Sequence, residues 1–407
     1  MSRSLLVRTF ALGLVIVAAA CSNEGHTPAT ALVDSHAEPL SIAQSVTPSS
    51  VGWNERARVL VGQANMSPLA ASRVYAALGV AQYRALRAVP DADGDGEAPE
   101  NGIGAGGRSA LEFRRGAVAG ASATVLGFLF SGAASSLEAR AVAEGSAGSG
   151  LTHPHFELGV DAGRQAGAAM VDHLKSDHFT APWTGTVPTG PGMWIANGTP
   201  AGGTFSGVTP YFLNSANQFR PAPPPAWQSD AFLADLAEIK ALSDNRTAAH
   251  GALAIQWNYA TGSFTPPGYW NLVASQYIAE HGLDELGAAR VYALTGGAMM
   301  DALIACWDAK YFHWTIRPTQ ANSAITLVFP LPNHPSYPSG HSCVSAAAAT
   351  TLGAFFPEHS AQLDEWVTEA GLSRMHAGIH YRFDITAGAN LGIDVARWAL
   401  ANEQRIE

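Results

Sequence analysis

The sequence predicts an all-α protein, a bundle of packed helices interrupted by long loops rich in glycine and proline. Apolar residues recur at helical spacing over much of the chain, strand-like alternation is scarce, and Pro and Gly mark where the helical segments start and stop. The chain has 407 residues, 47% of them hydrophobic, so it can bury a large core.

The helical segments are predicted from the spacing of apolar residues and from residues that commonly start or stop a helix. A helix is expected after Ser67-Pro68, because Ser is a good N-cap and Pro suits the first helical position, and Pro90 should stop it. Between residues 181 and 228 Gly, Pro and Trp dominate, so we expect an irregular stretch that either walls a pocket or wraps the surface. Further helices are predicted at 108–130, 134–144, 155–176, 229–242, 245–259, 267–280, 284–311 and 343–356.

The N-terminal residues are predicted to direct export. Residues 1–20 have the basic start, apolar centre and small-residue end of a secretory signal peptide. The Cys21 that follows favours a lipoprotein signal in which this cysteine is lipidated, with ordinary cleavage nearby as the alternative. Residues 21–50 are interpreted as a flexible tether, and 51–407 as a single helical domain. We therefore expect a periplasmic or cell-envelope lipoprotein, or a secreted protein, that meets a membrane only through a lipid anchor.

The overall negative charge excludes some classes of function. Lys and Arg total 23 against 33 Asp and Glu, so a general role on nucleic acid is not expected. Any basic site must be local. The sequence does not specify an oligomeric state.

Two smaller features leave alternatives open. Asp91, Asp93 and Asp95 match the first half of a calcium-binding loop, but Gly102 stands where the bidentate Glu belongs, so a solvated acidic loop is the alternative to a calcium site. Cys306 and Cys343 could form a disulfide in an oxidising compartment, or could be buried free thiols.

A first basic motif spans Lys310 to Pro318. Lys310 and Arg317 are about two helical turns apart, so on a continuous helix they would share a face and suit an anion with several oxygens. Taken alone, two cations near a helix end more often cap carbonyls or extend their charged ends to solvent.

A second motif is Pro338-Ser339-Gly340-His341, which runs into the apolar helix. A Pro-Ser-Gly turn at a helix N-terminus presents free N–H groups and a hydroxyl, and the helix dipole favours negative charge there. His341 could act as a general acid or base. An ordinary N-cap at Ser339 is the alternative.

A third motif joins Arg374, His380 and Asp384. His380 and Asp384 are four apart, so on a helix the carboxylate could accept from one imidazole nitrogen and leave the other free to bind a metal or attack an electrophile. Arg374 adds a guanidinium suited to oxyanion oxygens. A structural His-Asp pair is the alternative, and His313 and His376 are interpreted as structural.

Taken together, the three motifs resemble the signature of the superfamily that contains the vanadium-dependent haloperoxidases and the type 2 phosphatidic acid phosphatases (PAP2), in its soluble bacterial haloperoxidase-like branch. The pattern is Lys-x6-Arg-Pro, then Pro-Ser-Gly-His, then Ser-Arg-x5-His-x3-Asp, all within residues 310–384. The resemblance implies the helical bundle of that superfamily. The signature positions are filled by Lys310, Arg317, Pro318, Pro338, Ser339, Gly340, His341, Ser373, Arg374, His380 and Asp384.

In the haloperoxidase branch, the resemblance implies a vanadate cofactor with its vanadium on His380. Its oxygens would be held by Lys310, Arg317, Ser339, Gly340 and Arg374. Lys310, His341, His380 and Asp384 would be the catalytic residues, with His341 handling a proton. Hydrogen peroxide, a halide and an organic acceptor would be the substrates, and hypohalous acid the product.

In the phosphatase branch, the resemblance implies a phosphoester in the same pocket, where phosphate and vanadate compete. His380 would attack phosphorus, Asp384 would stabilise the imidazolium, and His341 would protonate the leaving alcohol. A non-catalytic oxyanion-binding lipoprotein is a third alternative.

Three features favour the haloperoxidase branch. The domain is longer than that of the compact acid phosphatases and lacks the spans of the membrane lipid phosphatases. His334 falls where bromide-oxidising members tend to carry a second histidine, and Trp314 and Tyr311 resemble the aromatic surroundings of the haloperoxidase site. We therefore expect His334 and Trp314 near the halide, and bromide or iodide rather than chloride as the substrate.

Overall fold

The computed structural model describes residues 47–88, 105–146 and 152–406. The predicted signal peptide, Cys21, all of the tether before residue 47, and the calcium candidates Asp91, Asp93 and Asp95 lie outside the described residues. The division at residues 20 and 50 stays a prediction.

The described residues form thirteen α-helices, and their only β-pairing is two isolated bridges, so the all-α prediction is confirmed. In chain order the helices are α1 (Ser49–Gln63), α2 (Pro68–Arg87), α3 (Ala105–Leu129), α4 (Ala134–Gly145), α5 (Pro154–Ser176), α6 (Asp230–Asp244), α7 (Ala248–Gln256), α8 (Thr265–Glu280), α9 (Glu285–His313), α10 (Pro318–Ala321), α11 (Gly340–Phe355), α12 (Ser360–His376) and α13 (Arg382–Ala401). None of the helices in the described part of the chain is long and apolar enough to cross a bilayer.

Helix α9 is the centre of the bundle and packs against α2, α8, α11 and α13. Apolar and small residues cover almost all of its sides, so most of the helix is buried. Where α2 crosses it, a Cβ on Gly79 would lie 2.7 Å from the backbone carbon of Tyr292, so only glycine allows this approach. The buried position of α9 fixes its last turn, which carries Lys310.

Several helix starts agree with the sequence. The Ser67 hydroxyl accepts from the Ala70 N–H at 3.3 Å, with Pro68 in the first turn, as predicted for α2. Asp284 caps α9 by accepting from the Gly287 N–H at 2.8 Å. Four helices, α1, α10, α12 and α13, were not predicted as separate elements.

The expectation that Lys310 and Arg317 share one helix face is wrong. Helix α9 ends at His313, and Trp314 adopts a left-handed conformation with φ of 51°. Arg317 lies beyond this break, at the N-cap of α10. The break is supported by tertiary pairing, because the Trp194 N–H donates to the Trp314 carbonyl at 2.7 Å and the Ile316 N–H to the Gly192 carbonyl at 3.0 Å.

The predicted irregular stretch at 181–228 is present, and it contains only a short 3-10 turn, Phe205–Gly207. It lines a large surface groove through residues 219–225. None of the residues 181–228 lines the smaller cavity at the start of α11, which is described below. The stretch therefore does not form a wall of that cavity.

Candidate active site

A cavity of about 90 Å³ opens beside the N-terminus of α11. This volume is well above what one water molecule needs, so a small polyatomic ion can be accommodated. Residues of the second and third motifs line it, no residue of the first motif does, and its other walls come from the starts of α2 and α8 and from α9. The lining residues are Pro68, Asn258, Pro266, Pro267, Leu303, Trp307, Pro332, His334, Gly340, His341, Val344, Arg374, Ile379 and His380.

His380 is held by Asp384 at the start of α13. His380 Nδ1 lies 2.8 Å from Asp384 Oδ2, which also accepts from the Ser336 hydroxyl at 2.6 Å and from the Tyr381 N–H at 3.1 Å. Burial raises the pKa of Asp384 to about 6, so the carboxyl is ionised at neutral pH. The pair does not lie along one helix, as the sequence suggested: His380 precedes α13, and Asp384 is in its first turn.

The protonation of His380 follows from its surroundings. Burial, then the neighbouring Arg317 and Lys310 charges, lower the pKa of His380 well below its usual value. The neutral ring therefore donates its Nδ1 proton to Asp384 and leaves a lone pair on Nε2. The Arg317 Nη1 group lies 3.1 Å from Nε2 and donates to it. His380 thus presents a nucleophilic or metal-ligating nitrogen beside a cation.

Arg317 is completely buried among backbone carbonyls. Its Nη1 donates to the Ile379 carbonyl at 2.7 Å, its Nε to the His334 carbonyl at 3.0 Å, and its Nη2 to His334 Nδ1 at 3.0 Å. Burial lowers the pKa of this guanidinium to about 10, so the group remains charged. It therefore links the first motif to the segments that carry the other two.

Lys310 is also completely buried, and it contacts the backbone of the second motif and of the residues just before it. Its Nζ donates to the carbonyls of Pro335 at 3.0 Å and Ser336 at 2.8 Å, and to the Pro338 carbonyl. Burial lowers the pKa of Lys310 to about 8. All three ammonium protons are engaged, so Lys310 fixes the turn before Ser339.

Arg374, in the last turn of α12, lines the cavity from another side. Its Nη2 donates to the Ala254 carbonyl at 2.5 Å, its Nη1 to Asn258 Oδ1 at 3.3 Å, and its Nε to Ser373 Oγ at 3.0 Å. Burial lowers the pKa of Arg374 to about 9.

The Pro-Ser-Gly turn starts α11 as the sequence predicts. The Ser339 hydroxyl accepts from the Ser342 N–H at 3.4 Å, and the Ser339 N–H donates to the Asp384 carbonyl at 2.9 Å. Gly340 and His341 are the first helical residues, whose N–H groups have no partner within the helix by geometry. A Cβ on Gly340 would lie 3.1 Å from Trp307 Cζ3, so this close contact favours glycine.

His341 faces the cavity with one nitrogen engaged. Its Nε2 lies 2.9 Å from the Trp257 carbonyl, which can only accept. Burial and then Arg374 lower the pKa of His341 well below its usual value, so the ring is neutral and Nδ1 is the proton-accepting atom.

The remaining predicted residues divide between the cavity and the scaffold. His334 lines the cavity, and its ring lies 5.0 Å from that of Trp307. Trp314 is not among the lining residues, because it stacks on Trp194 at 6.2 Å. The Tyr311 hydroxyl donates to the Ala201 carbonyl at 2.7 Å.

The aromatic wall of the cavity is Trp307, which the sequence reasoning did not single out. It is three residues before Lys310, a helical spacing that could have identified it. Asn258, which contacts Arg374, and the Trp257 carbonyl were also missed, since nothing local marks a loop whose position depends on tertiary packing.

Two predicted structural features have clear contacts. Cys306 and Cys343 are both buried and free, so they are not joined in this structure. The His376 ring stacks on that of His250 at 4.0 Å, and the His313 ring meets that of Tyr337 edge-on at 5.4 Å.

The charges near the cavity are mainly positive. Arg374 lines the cavity, whereas Lys310, Arg317 and Ser339 are buried without lining it, and Arg317 reaches it through its contact with His380. The nearby carboxylate is Asp384, which contacts His380. Buried charges are strongly unfavourable without partners, so the surplus positive charge calls for an anion. A small oxyanion such as vanadate or phosphate would supply that charge and several acceptor oxygens.

Comparisons with known proteins agree with this arrangement. A sequence profile of the PAP2 superfamily matches residues 289–406. The first bacterial vanadium-dependent iodoperoxidase superposes with a TM-score of 0.73 at 24% identity, covering 90% of this chain and 98% of that one. The apo and holo forms of a bacterial vanadium-dependent chloroperoxidase, each 16% identical, give TM-scores of 0.66 and 0.63. The apo form covers 84% of this chain and 95% of that one, and the holo form 90% and 95%.

No sequence among the curated proteins matches the chain. The structural neighbours nonetheless share the fold over nearly their whole length, and the profile match contains all three motifs. The described chain accordingly has the helical fold of the vanadium haloperoxidases, and its residues 289–406 match the PAP2 superfamily.

Proposed function

We propose that this protein is a vanadate-dependent haloperoxidase that uses hydrogen peroxide to oxidise bromide or iodide to hypohalous acid. The observation that carries the proposal is the neutral His380, whose Nε2 lone pair accepts from buried Arg317 at one wall of an ion-sized cavity. The fold, shared with haloperoxidases over 84–90% of this chain, favours this branch over the phosphatases.

The chain's own residues would hold vanadate in defined ways. His380 Nε2 would bind vanadium, and Arg317, Arg374, Ser339 and the Gly340 N–H would hold its oxygens. Lys310 would join this set if its ammonium group exchanged one of its three carbonyl partners for a vanadate oxygen. Vanadate supplies a Lewis-acidic centre that activates hydrogen peroxide toward halide.

In this proposal, His341 moves the proton. An anion in the cavity favours the imidazolium, so its binding raises the pKa of His341 and lets Nδ1 take up a proton. The protonated ring can then donate to a leaving oxygen. His334 and Trp307 line the same cavity, which supports a contact with the halide near them.

The second candidate is a phosphomonoesterase, favoured by the same His380-Asp384 pair. Nε2 would form a bond to phosphorus as the ester P–O bond breaks, and the leaving alkoxide would take a proton from His341. Water would then cleave the P–N bond and return His380 to its neutral form. Non-catalytic oxyanion binding is the third alternative.

One pair of assays separates these functions. The purified protein is loaded with vanadate and supplied with hydrogen peroxide and bromide or iodide, and separately given a phosphomonoester without vanadate. Halogenation that requires vanadate supports the proposal. Phosphate release inhibited by vanadate selects the phosphatase, and binding of vanadate without either activity selects the third alternative.

Two variants test the assigned roles. His380→Ala should abolish vanadate binding and turnover, because it removes the ligating nitrogen. His341→Ala should retain vanadate binding and lower turnover by about 10²–10⁴-fold, the usual contribution of a positioned acid or base. Binding is measured by equilibrium dialysis and turnover by halogenation of a dye. Full activity in His380→Ala would refute the proposal.

A further inference from the structure

A second cluster of metal-ligating side chains lies outside the active site, where α8 ends and the turn Pro357–His359 leads into α12. Glu280, His281 and His359 each offer a ligand atom, and these atoms lie within 4.8 Å of one another. Glu358 extends the cluster, since its carboxylate contacts His281 Nε2. Two imidazoles and two carboxylates therefore converge from two separate elements.

The His281 ring is oriented for ligation. Its Nδ1 lies 2.8 Å from the Tyr277 carbonyl, which can only accept, so Nδ1 carries a proton and Nε2, now in contact with Glu358, is the nitrogen that could bind a metal in place of a proton. A backbone carbonyl on the far nitrogen is the usual second contact of a metal-binding histidine, because it fixes both the tautomer and the ring plane.

The His359 ring is fixed by stacking. It lies parallel to Tyr277, with ring centroids 4.0 Å apart and an interplanar angle of 5°. Its Nε2 is buried, has no hydrogen-bond partner, and lies 3.5 Å from Glu280 Oε2. An imidazole nitrogen that points at a carboxylate without a hydrogen bond is placed where an ion could bridge the two.

We propose that Glu280, His281 and His359, with Glu358 beside them, bind a Zn²⁺ ion. Paired imidazoles with carboxylates suit Zn²⁺, whereas Ca²⁺ and Mg²⁺ prefer all-oxygen sites. Tetrahedral ligand atoms bound at about 2.0–2.2 Å lie about 3.3–3.6 Å apart, so side-chain rotations would have to bring these atoms together from their present separations of up to 4.8 Å.

The ion would join two elements that are distant in sequence. Tyr277, Glu280 and His281 belong to the end of α8, whereas Glu358 and His359 belong to the connection between α11 and α12. Helix α8 begins at the active-site cavity, which Pro266 and Pro267 line. Zn²⁺ would therefore stabilise one wall of that cavity without taking part in its chemistry, and this inference does not depend on the proposed function.

The test is titration of Zn²⁺ into the full chain after treatment with a chelator, followed by isothermal calorimetry near neutral pH. We expect one ion per chain, and a rise of a few degrees in melting temperature when Zn²⁺ is in excess. His281→Ala and His359→Ala should each weaken binding at least about tenfold, and the double variant should lose the melting shift. Mg²⁺ should give neither effect.

His155→Ala is the matched control, because His155 is exposed on α5 and its ring lies 5.3 Å from that of another histidine, His153. It should leave Zn²⁺ binding unchanged. The proposal is overturned if the wild-type chain binds no Zn²⁺, if the double variant binds it as well as the wild type, or if His155→Ala abolishes binding.

Discussion

At the residue scale, the reactivity of His380 depends on how its partner Asp384 is held. Three donors meet on Asp384 Oδ2, and the shortest of these hydrogen bonds comes from Ser336. Ser336 belongs to the segment that Lys310 fixes through carbonyls. The position of the His380 imidazole therefore depends on Ser336, which is not one of the signature positions.

Ser336→Ala should show this dependence. Loss of a buried hydrogen bond to a charged group should lower the free energy of unfolding by about 1.5–3 kcal/mol, measured by urea denaturation. It should also raise the pKa of Asp384 from about 6, because a bond to the ionised form is removed. Activity would then be lost at a higher pH on the acidic side of the pH–rate profile. Ser136→Ala, at an exposed site, is the control, and an unchanged profile in Ser336→Ala would contradict the assignment.

Anion binding should be coupled to proton uptake at His341. The ring is neutral before binding, and an anion raises its pKa, so affinity for phosphate or vanadate should fall as pH rises through the pKa of the bound form. Calorimetry in two buffers of different ionisation enthalpy measures the number of protons taken up. The number should decrease in His341→Ala, and equal uptake in both proteins would exclude His341 as the acceptor.

At the scale of helices and loops, the sequence predicts most of what is local and misses what depends on distant contacts. The long helices follow from apolar period, and α2 and α11 start at Ser67 and Ser339 as their caps indicate. Helix α1 was missed because its Pro48 N-cap makes no side-chain bond, so the usual start signal is absent. The end of α9 lies close to the predicted one, but the turn at Trp314 that separates Lys310 from Arg317 was missed because a loop more than a hundred residues earlier pairs with it.

The same distinction holds for the site. The three motifs identified the side chains that converge, since their residue types carry the chemistry. Their arrangement was predicted less well: Lys310 and Arg317 are on separate elements, and His380 precedes its helix. These features depend on backbone ends, which local patterns define poorly.

Close packing of α13 on the start of α11 gives a prediction at this scale. A Cβ on Gly388 would lie 2.6 Å from the Ser339 carbonyl and 3.0 Å from Ser342 Cβ, so Gly388→Ala must displace the turn that forms the cavity. We expect a loss of about 1–3 kcal/mol in the free energy of unfolding and weaker vanadate binding. Gly251→Ala in α7 is the matched control, because its added Cβ meets nothing within 4 Å and should stabilise by about 0.5–1 kcal/mol. Equal stability of the two variants would contradict the packing argument.

At the scale of the whole molecule, an acidic chain contains a local group of buried cations. The formal net charge is −10, yet Lys310, Arg317 and Arg374 are completely buried together. Folding without an anion leaves these charges poorly compensated, so binding and stability are coupled.

Phosphate or vanadate should therefore raise the melting temperature. At a hundred times the dissociation constant the gain is about 2.7 kcal/mol, which differential scanning calorimetry resolves. The shift should be larger at pH 7 than at pH 9, because Lys310, with a pKa of about 8, loses its charge between them. Chloride at the same ionic strength is the control, and an equal shift with chloride would indicate general screening instead of a specific site.

The short pairing of residues 192–194 with residues 314–316 bears on how this fold can vary. These hydrogen bonds hold the backbone just before Arg317 in place, although residues 192–194 belong to a surface loop without regular structure. A related protein with a shorter loop would need other contacts to position the residue that corresponds to Arg317. Engineering that shortens the loop for stability should therefore keep Gly192 to Trp194 and cut elsewhere.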